Sequence, residues 1–159
     1  MLLLTFNLGG ERYALESSRV VEVIPMVPLR KLPHAPDCVA GLFNYRGAVV
    51  PVLELRQLVQ GGPCQPCLST RIILVSWVSP KGRKSHTLGL MAERVTETVQ
   101  KTSLDLSPPG ITVEKAPYLG EIILGEGGMI QCLRLEHLLP DGLREALFQA
   151  EPADDPEGG

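Results

Sequence analysis

The sequence predicts an all-β protein made of two small barrels packed against each other, with short helices. Runs of alternating or β-branched apolar residues recur along the chain, and glycine-containing turns separate several of them, as is typical of hairpins. Two stretches of the chain also repeat one pattern, and each copy is too short to bury much core alone. Closing each copy into a barrel and packing the two together removes exposed strand edges and shares the apolar surface.

Length and composition suit one compact domain or two small subdomains. The chain has 159 residues, a net charge of −3 and 44% hydrophobic residues, which is too apolar for general disorder. A barrel that binds nucleic acid needs a basic groove with stacking aromatics. Aromatic residues make up only 4% of this chain and its charges are scattered, so that class of function is disfavoured.

Four hairpins are expected. In the first, Leu2, Leu4, Phe6 and Leu8 alternate with less apolar positions, and Gly9-Gly10 supplies the turn into residues 12–15. The second covers residues 43–52 and bends at Arg46-Gly47. The third pairs residues 71–78 with 87–91, and the fourth pairs 118–124 with 129–135.

Short helical segments are expected between the strands. Ser17-Ser18 is a candidate cap for a helical turn over residues 19–23. A second short helix is expected from Pro36 or Asp37 through Leu42, and a further helical turn over residues 53–59. Residues 141–150 are expected to form a C-terminal helix, and the acidic residues 151–159 a disordered tail.

The repeat links two pairs of segments in the same order. Residues 19–24 align with 94–99, and residues 49–59 align with 129–139. The second alignment matches Leu53 with Leu133, Leu55 with Leu135 and Leu58 with Leu138. Several such matches indicate two copies of one β unit. We therefore expect one subdomain over about residues 1–64, a connector, and a second over about 70–140.

Neither the cysteines nor the histidines predict a chemical site. Cys64 and Cys67 have the spacing of a metal or redox pair, but the second half of a zinc site is missing and glycines and prolines indicate a loop. The three histidines lie in different segments, each without a nucleophile and a carboxylate at motif spacing. We expect no enzyme activity, cofactor or metal.

The chain is expected to be cytoplasmic. Its N-terminal Met1 to Leu4 lacks the basic region of a secretory signal, and Asn7 interrupts the apolar run. No window approaches the ~18 apolar residues that a transmembrane helix needs.

Several motifs in order resemble the CheW-like domain. They are Val20-Val21-Glu22-Val23-Ile24, Leu32-Pro33, the Val39 to Gly47 stretch ending in Asn44-Tyr45-Arg46-Gly47, and Val49-Val50-Pro51-Val52-Leu53-Glu54-Leu55. The second half continues the resemblance with Leu88-Gly89-Leu90, Glu93-Arg94-Val95, Tyr118-Leu119-Gly120 and the closing run from Leu133. The resemblance covers nearly everything from Leu2 to Pro140 and implies two SH3-like, five-stranded barrels, as in the regulatory domain of CheA-type histidine kinases.

The resemblance implies a coupling role. Proteins of this family join the cytoplasmic tips of chemoreceptors to a CheA-type histidine kinase, so we expect an adaptor recruited to membrane-associated receptor arrays. A CheW-like scaffold that binds other adaptors or regulators, and not the kinase directly, is the alternative. The sequence departs from the family at Ala92 or Glu93 and at Arg134, where the family commonly has Asp, which puts partner specificity in the second half in doubt.

The resemblance and the residue chemistry together nominate a partner-binding site. Arg46 is the first candidate, oriented by Glu22, because a guanidinium held by a carboxylate presents its other donors rigidly. Phe43 and Tyr45 flank Arg46 and are candidate anchors, since aromatic residues and arginine dominate binding hot spots. Packing inside the barrel is the competing role for both.

Four further apolar residues and two glycines complete the candidates. Val20, Ile24, Val95 and Val99 are expected to line the groove between the barrels that receives receptor tips in this family, with plain core packing as the competing role. Gly41 and Gly47 are expected to be structural, because each permits backbone angles that a side chain disfavours by roughly 1 kcal/mol.

Overall fold

The described part of the chain is almost entirely β, which confirms the predicted fold class. The computed structural model describes residues 2–62, 68–78, 85–95, 98–100, 106–107, 116–125, 128–139 and 143. The elements are β1 (Leu2–Leu8), β2 (Glu11–Glu16), a 3-10 turn (Ser17–Arg19), β3 (Val20–Pro25), β4 (Val39–Tyr45), β5 (Ala48–Glu54), helix α1 (Leu55–Gln60), β6 (Thr70–Val78), β7 (Ser85–Glu93), β8 (Thr98–Gln100), β9 (Leu106–Ser107), β10 (Leu119–Gly125), β11 (Gly128–Leu133) and a 3-10 turn (Leu135–His137).

All four predicted strand pairs are present as antiparallel hairpins. They are β1 with β2, β4 with β5, β6 with β7, and β10 with β11. Positive φ angles close the first two turns, 58° and 93° at Gly9 and Gly10, and 51° and 89° at Arg46 and Gly47. Turns with two consecutive positive φ angles match the right-handed twist of paired strands, which is why they favour glycine.

Two predicted helical segments are strands. The expected turn over 19–23 is confined to Ser17–Arg19, and the expected helix through Leu42 gives way to β4, which starts at Val39. Both predictions were wrong because local capping signals are weak beside β-sheet pairing: β3 pairs with β6, and β4 pairs with β5. The helical turn expected over 53–59 is present as α1 and ends at Gly61, whose φ is 76°.

Hydrogen bonding arranges the strands in two groups. The first group consists of β3 to β7 in the spatial order β4-β5-β7-β6-β3. The second group has the order β8-β1-β2-β11-β10-β9. A single bridge between Asn7 and Glu93 joins β1 to β7 and so connects the groups. Closure of each group into a five-stranded barrel stays a prediction.

The pairing does not follow the expected division between residues 64 and 70. Strands β6 and β7, expected in the second subdomain, pair with β3 and β5. Strands β1 and β2, expected in the first, pair with β8 and β11. The repeat in the sequence identifies equivalent segments, but either copy of a hairpin can complete either group. Here the two copies have exchanged their N-terminal hairpins.

The exchange preserves the register of the repeat. In the first group, Ile24 lies opposite Ile72, and β5 runs parallel to β7 with Val52 opposite Gly89. In the second group, Val99 lies opposite Leu3, and β11 runs parallel to β2 with Cys132 opposite Ala14. The two groups are thus built from equivalent residues in equivalent pairings.

Three apolar clusters form the core. The largest, which we call the shared core, is contributed by both groups; it includes Phe6, Leu15, Leu53, Trp77 and Leu135. A second cluster lies within the first group and is formed by Val50, Val52, Ile72, Leu74 and Met91. A third lies within the second group and is formed by Leu3, Ala14, Ile123 and Ile130. Because the shared core is the largest, the two groups are expected to depend on each other for stability.

The C-terminal predictions fall mainly outside the described residues. Within the helix expected over 141–150, only Leu143 is described; it is helical and buried against the shared core. The expected tail, 151–159, and the pair Cys64 and Cys67 also lie outside the described residues. Among the residues that are described, no helix is long and apolar enough to cross a membrane.

Candidate functional site

Three of the predicted site residues meet at the β4–β5 hairpin and the neighbouring strand β3. Tyr45, the last residue of β4, donates a hydrogen bond from its hydroxyl to Oε1 of Glu22 at 2.5 Å. Arg46 Nη2 donates to the same oxygen at 3.3 Å, and its Cζ lies 5.0 Å from the centroid of the Tyr45 ring. We call Glu22, Tyr45 and Arg46 the hairpin cluster.

The hairpin itself fixes where this cluster sits. Asn44 Oδ1 accepts a hydrogen bond from the Gly47 backbone N–H at 2.8 Å, which closes the turn from within. Phe43 lies edge-on to Tyr45, with ring centroids 6.2 Å apart, and both are half-buried against the first group's own cluster. The aromatic pair therefore ties the hairpin to the core, and partner contact by Phe43 and Tyr45 stays a prediction.

The charged pair is open to solvent. The side chains of Arg46 and Glu22 are 75% and 40% exposed, so their ion pair contributes at most about 1 kcal/mol to folding. The hydrogen bond to the Glu22 carboxylate, with some burial, raises the pKa of Tyr45, while Arg46 opposes this rise. The Tyr45 hydroxyl is therefore a protonated donor at neutral pH. The cluster therefore presents an accessible guanidinium that contacts the Glu22 carboxylate and lies beside the Tyr45 ring.

Exposed apolar residues lie on β3 and on the β4–β5 hairpin, the elements that carry the cluster, and they were not among the predicted site residues. Val49 on β5 is 72% exposed, and Val21 and Val23 on β3 are 52% and 37% exposed. Val49 lies in a segment that was expected to be a strand, whereas Val21 and Val23 lie in the segment that was expected to be a helical turn. Neither expectation shows which side chains of a strand face solvent, so these three residues could not be identified as exposed.

The four predicted groove residues are not brought together as one surface. A register shift between Val20 and Glu22 puts Val20 beside the shared core, whereas Ile24 packs into the cluster inside the first group. Val95 is half-buried against the shared core. Val99 pairs through its backbone with Leu3, and its side chain lies outside the described part of the chain. Val20 and Val95 therefore share a cluster, and Ile24 belongs to a different one.

Substitution of the two glycines near the site should lower the free energy of unfolding by clearly different amounts. Gly41 has a φ of 153°, and an added Cβ would lie 2.8 Å from the Arg30 carbonyl oxygen and 2.9 Å from Leu29 Cβ. At Gly47, with a φ of 89°, an added Cβ would meet no described atom within 4 Å. We expect Gly41→Ala to lower the free energy of unfolding by about 3 kcal/mol and Gly47→Ala by about 1 kcal/mol. Urea unfolding of both variants measures this, and equal losses would contradict the steric account.

Comparison with known proteins identifies the family. Residues 2–142 match the CheW-like domain. The chain is 27% identical over 146 residues to "Chemotaxis protein CheW" of Rhizobium meliloti, covering 91% of this chain and 90% of the relative. It is 30% identical over 145 residues to "Protein FrzA" of Myxococcus xanthus, covering 89% and 87%.

A solved structure shows the same fold. The scaffolding protein TtCheW from Thermoanaerobacter tengcongensis superposes with a TM-score of 0.76 at 26% identity, over 86% of this chain and 90% of that one. The family match over residues 2–142 spans both strand groups and includes the whole hairpin cluster. The chain belongs to the CheW-like domain family of chemotaxis adaptor and scaffold proteins.

Proposed function

We propose that this chain is a non-enzymatic adaptor that couples methyl-accepting chemoreceptors to a CheA-type histidine kinase. The observation that carries the proposal is the hairpin cluster on a CheW-like fold: Arg46 is 75% exposed, yet it is held by Glu22 and lies beside Tyr45. Arginine and aromatic side chains arranged in this way are typical of interface hot spots.

The kinase's regulatory domain is the proposed partner of the first strand group. That group carries the cluster and the exposed Val49, so it offers a charged centre beside an apolar contact. The receptor tip is the proposed partner of the boundary between the groups, where Val20 and Val95 border the shared core. Using two separate surfaces allows both partners to bind at once, as coupling requires. The adaptor would act in the cytoplasm at membrane-associated receptor arrays.

Two separate binding surfaces predict that the kinase domain and the receptor tip bind this chain without competing. Isothermal titration calorimetry should detect binding of the kinase regulatory domain and of a receptor signalling tip, each with a Kd of roughly micromolar strength as is common for transient signalling contacts. Saturating one partner should leave the affinity for the other within a few-fold. Competition between the two would contradict the assignment of separate surfaces, and failure of both to bind at tens of micromolar would contradict the adaptor role.

The alternative is a scaffold that binds other CheW-like proteins. One observation favours it: Met129 on β11 is 66% exposed and Leu124 opposite it is 59% exposed, at the hairpin of the second group that corresponds to β4–β5. Two equivalent hairpins with exposed apolar residues suit contacts with modules of the same fold. Sedimentation velocity of the chain alone tests for self-association, which would support the alternative and which the kinase adaptor does not require.

A further inference from the structure

Tyr45 contacts both charged members of the hairpin cluster. Its hydroxyl donates to the same Glu22 oxygen that accepts from Arg46, and its ring lies 5.0 Å from the Arg46 guanidinium carbon. The residues that it joins are far apart in the chain, because Glu22 lies on β3 and Arg46 lies in the β4–β5 turn. Tyr45 therefore contacts both the carboxylate on β3 and the guanidinium in the turn.

The ion pair alone holds Arg46 poorly. Its single Nη2 contact to Glu22 is 3.3 Å long, and both side chains are largely exposed. An exposed pair of this kind contributes little and must restrict a long, flexible side chain. A tyrosine has only two side-chain torsions. The ring of Tyr45 is anchored by its edge contact with Phe43 and by packing against the first group's cluster. The rigid member of the cluster is the tyrosine.

The direction of the contacts leaves much of the guanidinium available. An arginine carries five N–H donors in one plane, and one nitrogen, Nη2, is directed at Glu22. The side chain is 75% exposed, so the remaining donors are accessible from solvent. A planar, oriented guanidinium with accessible donors matches the two oxygens of a carboxylate. Val49, which is 72% exposed and lies opposite Asn44 on the same hairpin, offers an exposed apolar residue close to the turn.

We propose that Tyr45 is a positioning residue: its hydroxyl on Glu22 and its ring beside Arg46 hold the guanidinium so that its outward donors bind a carboxylate of the partner protein. The inference rests on the proposed function for its partner, but its positioning step concerns this chain alone. The expected partner surface carries an Asp or Glu next to apolar residues. A direct partner contact by the tyrosine ring is the competing role.

Replacing the hydroxyl alone separates the two roles. Tyr45→Phe keeps the ring and removes the hydrogen bond to Glu22, so a direct ring contact predicts unchanged binding. Positioning predicts that the affinity for the kinase regulatory domain falls on the order of tenfold, the effect of one hydrogen bond to a charged group. Tyr118→Phe is the control, because it removes a hydroxyl from a tyrosine outside the cluster, directly before β10 and buried in the shared core. Binding of Tyr45→Phe within twofold of the wild type overturns the proposal.

Two further measurements complete the test. In the free protein, NMR relaxation of the Arg46 side-chain Nε–H should show an ordered group that becomes mobile in Tyr45→Phe and stays ordered in Tyr118→Phe; unchanged mobility overturns the positioning step whether or not the kinase binds. In the complex, each exposed Asp and Glu of the kinase domain is changed to Asn or Gln. One such change should weaken binding of the wild-type chain and should not further weaken binding of the Arg46→Gln variant. Additive losses at every carboxylate would exclude a carboxylate as the ligand of Arg46.

Discussion

Arg46→Glu should weaken binding of the kinase regulatory domain by about 100-fold or more. The change removes the accessible guanidinium, whose Nη2 lies 3.3 Å from Glu22 Oε1. It also places a second carboxylate beside Glu22. Removing one partner of a desolvated, charged hydrogen bond at an interface costs about 2–5 kcal/mol, and each 1.4 kcal/mol is a factor of ten in Kd. The measurement is calorimetric titration of the variant with the kinase domain.

Folding of this variant should be almost unaffected. An exposed ion pair contributes at most about 1 kcal/mol, and the Arg46 side chain is 75% exposed. The melting temperature should therefore fall by only a few degrees. A fall of ten degrees or more would assign Arg46 to the fold and would remove it from the candidate site.

The control is Arg134→Glu. Arg134 is 47% exposed and pairs with Glu121 at 3.5 Å, so it is a similar exposed pair in the second strand group. The substitution changes the net charge by the same amount. If both variants lose the same affinity, the effect is long-range electrostatics and not a specific contact of Arg46.

Trp77→Ala should lower the free energy of unfolding by about 3–5 kcal/mol and the melting temperature by roughly ten degrees. Trp77 lies on β6, is 1% exposed, and donates from Nε1 to the Leu135 carbonyl oxygen at 3.0 Å. Leu135 follows β11 in the second group, so a side chain of the first group packs in the shared core and hydrogen-bonds to the second group. Its loss creates a cavity and leaves a buried carbonyl without this donor.

The number of unfolding transitions is as informative as the melting temperature. Because the shared core is built from both groups, we expect the wild type and Trp77→Ala each to unfold in one step, with fluorescence-independent probes such as far-UV circular dichroism and calorimetry in agreement. Leu124→Ala is the control; Leu124 is 59% exposed and its truncation should change stability by less than about 0.5 kcal/mol. Two separate transitions in the wild type would contradict mutual dependence of the strand groups.

The sequence predicted the strands better than their partners. Gly9-Gly10 and Arg46-Gly47 mark hairpins that the structure contains, because two-residue turns with positive φ depend on local residues alone. The exchange of β1–β2 and β6–β7 between the two copies was missed. Equivalent hairpins carry equivalent apolar patterns, so periodicity cannot tell which copy pairs with β3 and which with β8.

The members of the hairpin cluster could be named from the sequence, but their geometry could not, and their partner-binding role stays a prediction. Family motifs selected Glu22, Tyr45 and Arg46, and the structure places them in mutual contact. The hydrogen bond between the Tyr45 hydroxyl and Glu22 was not foreseen, because no spacing rule relates two residues on strands that are not hydrogen-bonded neighbours. The register shift after Val20, which separates it from Ile24, was equally invisible in the alternation of β3.

Coupling itself is tested most directly by kinase activity in a reconstituted assembly. Receptor-containing membranes, the CheA-type kinase and this chain are combined, and kinase autophosphorylation is followed with and without receptor ligand. The account predicts that receptor ligand controls the kinase only when the wild-type chain is present and that Arg46→Glu fails to restore this control. Ligand control that is equal in the absence of the chain, or equal with Arg46→Glu, would contradict the proposed adaptor role and its site.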